Sequence, residues 1–190
     1  MKKKIFIIIA ATAMAVSMAA CGGAPNKNYV AGPETNDNRI YTFEYSADDY
    51  SYIEVFAERY ANGERLEDVQ LLAIAKVMAS DDLSGTITIT FDENESIRLV
   101  SSPANGGMHS ATDFVDIGAP AEGLGLMEAW QMDRLGISEN ATAPLLFIGY
   151  ESGSSDHGYG IGLYGMDESI VPDYVFCYRV MVKFYEEKPE

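Results

Sequence analysis

Hydrolysis near neutral pH asks for a nucleophile, a base that takes its proton and a third group that orients the base, and this chain offers few residues for those roles. His109 stands in NGGMHSATD and His157 in SSDHGYG, both in turn-like surroundings, and no other histidine is present. Ser155, Asp156 and His157 are consecutive, so their side chains diverge; a relay would need Ser110 brought to His157 across the fold. The chain has no G-x-S-x-G, S-x-x-K or H-E-x-x-H pattern. Hard cations want several oxygens close together, and Asp48-Asp49, Asp81-Asp82 and Asp92-Glu93-Asn94-Glu95 supply them at expected strand ends. None has the spacing of a calcium loop, and Asp, Asn and Glu are also what turns use to bond their own backbone, which is the reading we favour. A zinc set of His109, Asp113 and His157 is the remaining metal option. The six glycines between Gly149 and Gly165 lack the following Lys-Ser or Lys-Thr of a phosphate cradle, so a long loop between two strands is expected there.

The beginning of the chain says more. Lys2, Lys3 and Lys4 precede an uncharged apolar run from Ile5 to Ala20, and Met18-Ala19-Ala20 lead into Cys21. Sixteen residues of helix span ~24 Å, short of the ~30 Å hydrocarbon core, so the run is too short for a permanent crossing and fits a cleaved export signal. This segment resembles the bacterial lipoprotein signal, in which small residues precede a cysteine that is acylated and becomes the new N-terminus. The resemblance implies a signal peptide over 1–20, lipidation of Cys21 and anchoring of the product through its acyl chains, each buried CH₂ contributing ~0.8 kcal/mol.

Loss of the first 20 residues removes three of 13 basic side chains and leaves 10 against 29 acidic ones, a net charge of −19. Such a field repels phosphate backbones, so nucleic acid is excluded as a partner and attachment to the membrane falls to the lipid. Cys177 is then the one thiol left to the mature chain, no internal disulfide can form, and core packing must supply the stability.

The elements that would position any site read as strands. Gly22 to Asn38 is rich in Gly, Pro and Asn and is expected to be a flexible tether, so residues 21–38 precede a domain over 39–190. Tyr41, Phe43 and Tyr45 share one face of Ile40 to Tyr45, and Ile87, Ile89 and Phe91 alternate with threonines. Tyr52 to Tyr60 ends at Asn62-Gly63, the preferred two-residue hairpin turn, which favours a returning strand within Asp68 to Met78. Ile97 to Ser101 is a short strand, Leu145 to Tyr150 suits a central strand covered on both faces, and Tyr174 to Phe184 alternates throughout. Leu124 to Leu135 fits a short helix or a bulged strand equally. Tyr41 and Tyr45 point inward, whereas Tyr52 and Tyr60 oppose the aliphatic face and are the aromatics expected on display for a sugar ring.

Seven to nine strands with no βαβ rhythm predict an all-β fold, an antiparallel two-sheet sandwich of immunoglobulin-like or similar form. The succession SGTITITF, ESIRLV, APLLFIGY and DYVFCYRVMVKFY resembles small β-sandwich lipoproteins of Gram-positive bacteria, which implies a surface-displayed module and carries no catalytic residue across. The expectation is a lipid-anchored, extracytoplasmic envelope protein that binds an envelope protein or glycan without catalysis, cofactor or metal. The alternative is an envelope hydrolase or cation-dependent enzyme using His109, His157 and loop carboxylates.

Overall fold

The computed structural model describes residues 27–36, 39–76, 83–106, 109–119, 125–130, 134–138, 142–152, 157–161, 171 and 174–189. Thirteen strands lie among them: β1 Tyr29–Asn36, β2 Ile40–Ser46, β3 Tyr52–Ala61, β4 Glu64–Arg65, β5 Val69–Ala75, β6 Ser84–Phe91, β7 Ile97–Pro103, β8 Ser110–Ala111, β9 Gly125–Trp130, β10 Leu135–Gly136, β11 Thr142–Glu151, β12 His157–Ile161 and β13 Phe176–Tyr185. They form two sheets. One has six strands in the order β10-β1-β2-β6-β7-β8. The other runs β12-β9-β11-β13-β3, with β4 and β5 successive partners along the outer edge of β3.

The sheets close on each other as a sandwich because each strand alternates. Tyr41, Phe43 and Tyr45 of β2, Ile87 and Ile89 of β6 and Leu99 of β7 meet Ile53 and Val55 of β3, Ile148 of β11, and Tyr178, Val180, Val182 and Phe184 of β13 in one buried cluster. At ~2 kcal/mol for each large apolar side chain taken from water, this interior is what holds the fold without a disulfide. The Asn62-Gly63 turn forms as expected: both residues have positive φ, 50° and 81°, and Ala61 pairs with Glu64 across a two-residue loop. β5 returns along β3 with Ala75 opposite Tyr52 and Val69 opposite Ala57. β11 lies between β9 and β13, and Leu145 to Tyr150 are all buried, so this strand is covered on both faces.

Four expectations are corrected and one alternative left open is resolved. The stretch 29–36, read as tether, is β1: its Gly32-Pro33 step makes an irregularity between Ala31 and Glu34, yet its backbone pairs with β2 along its length and Val30 is buried in the core. The folded body therefore extends ahead of Arg39 and includes the chain from Lys27. Of the two readings left open for Leu124 to Leu135, the strand is the one that forms: Gly125 to Trp130 is β9, in register with β11 without a bulge. Within the expected loop at 149–165, His157–Ile161 forms β12, which pairs with β9 in parallel, the single exception to antiparallel pairing among the described residues. Tyr174, placed on the core side by alternation, instead lies outside the sheet against Phe147, with ring centroids 5.1 Å apart. Strand number rises above nine through β1, β12 and the two-residue pieces β4, β8 and β10.

Candidate functional site

The two histidines end on different sheets. His109 is exposed just before β8, its Nδ1 3.0 Å from Ser102 Oγ. His157 opens β12, opposite Leu126 of β9. Since β5 packs against β7 and β8, the β8 edge sits over the β5 edge, while β3, β13, β11 and β9 stand between β5 and β12. Five inter-strand steps amount to about 24 Å, so the fold does not assemble His109, Asp113 and His157 into one set. Ser155, Asp156, Asp81 and Asp82 lie outside the described residues. Among the described residues no group of three His, Cys, Asp or Glu side chains is placed to hold a metal ion.

The acidic turns are occupied by their own backbone and by nearby cations. Asp92 Oδ1 accepts the N–H groups of Asn94 and Ser96, both at 2.9 Å, which is the turn chemistry anticipated for that cluster. Asp49 accepts from Asn28 Nδ2 at 2.8 Å and Lys27 Nζ at 3.1 Å, and these two bonds hold its carboxyl below the usual range. Glu95 is gripped by Arg39 through two parallel bonds of 2.7 and 2.8 Å. The same guanidinium donates from Nε to Glu128 at 2.6 Å, and Glu128 also accepts from Tyr41 at 2.6 Å. Tyr150 donates to Glu95 at 3.1 Å. Arg39 and Glu95 belong to the six-stranded sheet and Glu128 and Tyr150 to the other, so this cluster clamps the two sheets together at one end.

Tyr52 and Tyr60 are not displayed. They are 7% and 8% exposed, Tyr52 packed against Tyr185 and Tyr60 in a second apolar cluster with Phe147, Val171, Tyr174 and Cys177. In that cluster Arg179 reaches both Glu58 and the Tyr60 hydroxyl. Burial pushes the Cys177 thiol up to about 11, which leaves it protonated and unreactive at neutral pH.

The outward positions of β2, β6 and β7 carry a group of hydroxyls and a carboxylate. In register, Glu44 lies opposite Thr86 and Thr86 opposite Ser102, while Ser46 lies opposite Ser84 and Tyr29. These residues, with Asp48, line a hollow on the outer face of the six-stranded sheet. Tyr29 borders it and donates to Glu44 Oε1 at 2.6 Å, a bond that, with lesser help from burial, raises the phenol above its ordinary value. The Arg134 guanidinium stacks on the Tyr29 ring, 3.4 Å from its centroid. Hydroxyls that both donate and accept, beside carboxylates that accept only, suit a ligand with many hydroxyl or amide groups. The alternation of Ile40 to Tyr45 put Thr42 and Glu44 on the face opposite Tyr41, Phe43 and Tyr45; Tyr29 and Arg134 were not legible, because one sits in a segment resembling a tether and the other arrives through the β1–β10 pairing of Val30 with Leu135. No protein-family model, curated protein or solved structure matches the chain.

Proposed function

We propose that the chain is an exported lipoprotein, acylated on Cys21, whose β-sandwich holds the hollow around Tyr29, Glu44 and Ser102 near the membrane surface as a contact site for an envelope glycan. The observation that carries the reading is the order of residues at the start: three lysines, an apolar run too short to span, Ala19-Ala20-Cys21, and then the body pinned from Lys27 onward. The polar hollow supports a polyhydroxylated ligand, and the separation of His109 from His157 argues against a site that uses both histidines. Cys21→Ala is expected to move the protein from the membrane fraction to the medium and to abolish incorporation of labelled palmitate. A variant still held in membranes would overturn the anchor. Wall glycan fragments are expected to raise the melting temperature of residues 22–190, and Glu44→Ala to remove that shift. No shift with glycans but one with an envelope protein would replace the ligand class.

One contact favours a second reading. Ser102 Oγ and His109 Nδ1 are within hydrogen-bond distance at the rim of the hollow, the first two members of a hydrolytic relay. Hydrolysis of an envelope ester that is lost in both Ser102→Ala and His109→Ala, with folding intact, would favour the enzyme over the contact module.

A further inference from the structure

The chain is fixed to the body at Lys27 and Asn28. Lys27 Nζ lies 3.1 Å from Asp49, Asn28 Nδ2 bonds Asp49 at 2.8 Å, Ser46 Oγ donates to the Lys27 carbonyl at 2.8 Å, and Ile137 N–H donates to the Asn28 carbonyl at 3.0 Å. Residues 22–26 are all that separate Cys21 from this attachment. Six Cα steps reach ~22 Å at full stretch and ~13 Å as coil. The long strands β3, β11 and β13, ten residues each, run ~34 Å. The tether is therefore shorter than the body it holds.

Register identifies the two ends. Tyr29, Ser46 and Ser84 share one level, as do Tyr52, Ala75 and Tyr185 on the other sheet, and the Ser51 N–H bond to the Tyr185 carbonyl places both levels at the end where β1 begins. The opposite end carries Arg39, the Asn62-Gly63 turn and the Asp92–Glu95 turn. Charge follows the same division. All four lysines beyond residue 20, Lys27, Lys76, Lys183 and Lys188, lie in the half where β1 begins. Lys183 and Lys188 sit over the Tyr185 and Tyr52 rings at 4.8 and 6.0 Å. Asp48, Asp49, Glu54, Glu186 and Glu187 share this half with Arg134 and bring it towards neutrality, whereas in the far half Glu58, Glu64, Glu67, Asp68, Asp92, Glu93, Glu95 and Glu128 outnumber Arg39, Arg59, Arg65, Arg98 and Arg179, so that among the described residues the far end is the more negative.

We infer that the end bearing Lys27, Lys76 and Lys188 rests against anionic phospholipid headgroups, with the Asn62-Gly63 and Asp92–Glu95 turns directed away from the bilayer. This rests on the acylated Cys21 of the proposed function: the lipid supplies the affinity, while the short tether and the repulsion of the far end supply the orientation. Repulsion acts within a Debye length of about 8 Å, so it opposes tilting that brings the acidic turns to the surface.

The test uses the acylated protein on vesicles of phosphatidylcholine and phosphatidylglycerol that carry a nitroxide quencher on their headgroups. A fluorophore is attached at Ala104→Cys, in the turn after β7, or at Glu93→Cys; Cys177 is buried and does not compete. The label at 104 is expected to lose most of its emission and the label at 93 to keep it. A long Gly-Ser insertion after Gly23, or Lys27→Glu with Lys188→Glu, narrows that difference while the protein stays on the vesicles. Equal quenching at the two positions in membrane-bound protein would overturn the orientation alone, and a difference unchanged by the insertion would overturn the short tether as its cause. Protein left in the supernatant would overturn the anchored reading itself and the orientation with it.

Discussion

Arg39 holds Glu95 through two parallel bonds and Glu128 through a third, and Glu128 is only 1% exposed. A carboxylate so deep is tolerated because the guanidinium and the Tyr41 hydroxyl replace its water. Arg39→Ala strips the charge partner and leaves the carboxylate stranded, so it is expected to cost about 3 kcal/mol in urea unfolding. Glu128→Gln removes the buried charge itself, leaves Arg39 on Glu95, and is expected to cost less. The tyrosines set the alkaline limit. Burial pushes the phenols of Tyr150 and Tyr178 up from 10.0, and burial together with the bond to Glu54 takes Tyr185 up to about 12. Folded-state values above the unfolded one mean that this stabilisation is complete below pH 10 and declines as pH climbs through the folded values. Circular dichroism and tyrosinate absorbance are expected to change together in one alkaline transition; phenols that ionise with the fold intact would contradict the burial of these groups.

At the scale of single elements, Gly149 shows how β11 carries a second cluster on its outer face. A Cβ at this position would stand 2.4 Å from the Tyr174 ring, so only glycine lets that ring lie on the strand and cover Phe147. Gly149→Ala is expected to displace Tyr174, destabilise by about 2 kcal/mol and speed the reaction of Cys177 with a disulfide reagent. Unchanged thiol reactivity would refute the covering role. The strands that were legible in the sequence, β2, β3, β6, β7, β11 and β13, are those whose own residues alternate or form an unbroken apolar run, and β5 was legible from the Asn62-Gly63 turn before it. β1 escaped because Gly32-Pro33 interrupts its alternation and much of its support is backbone pairing to β2. β12, HGYGI, escaped because alternate glycines leave little side-chain pattern and its partner β9 is distant in sequence. The same non-locality hid Tyr29 at the hollow and Arg134 stacked on its ring, and turned Tyr60 and Glu58, outward by alternation, into buried groups. A fragment starting at 27 is expected to fold, whereas one starting at 39 exposes the β2 edge and forfeits about 2 kcal/mol of Val30 burial alone. Equal melting temperatures for the two would show that β1 is dispensable.

For the molecule as a whole, the interior of one sandwich carries the stability and the surface divides into a hydroxyl-rich face, a clamped acidic end and a lysine-bearing end. The chain enters and leaves by this last end. Lys27 hangs on Asp49 and the Glu186 carbonyl on the Ser51 hydroxyl, so the entering and departing segments meet a single three-residue stretch. Segments that lie so close can be joined by a few residues and the chain reopened elsewhere. Cut between Asn62 and Gly63 and spliced between 186 and 27, a circular permutant would keep every sheet pairing except the small β3–β4 hairpin, and would carry its new ends on the side remote from the old ones.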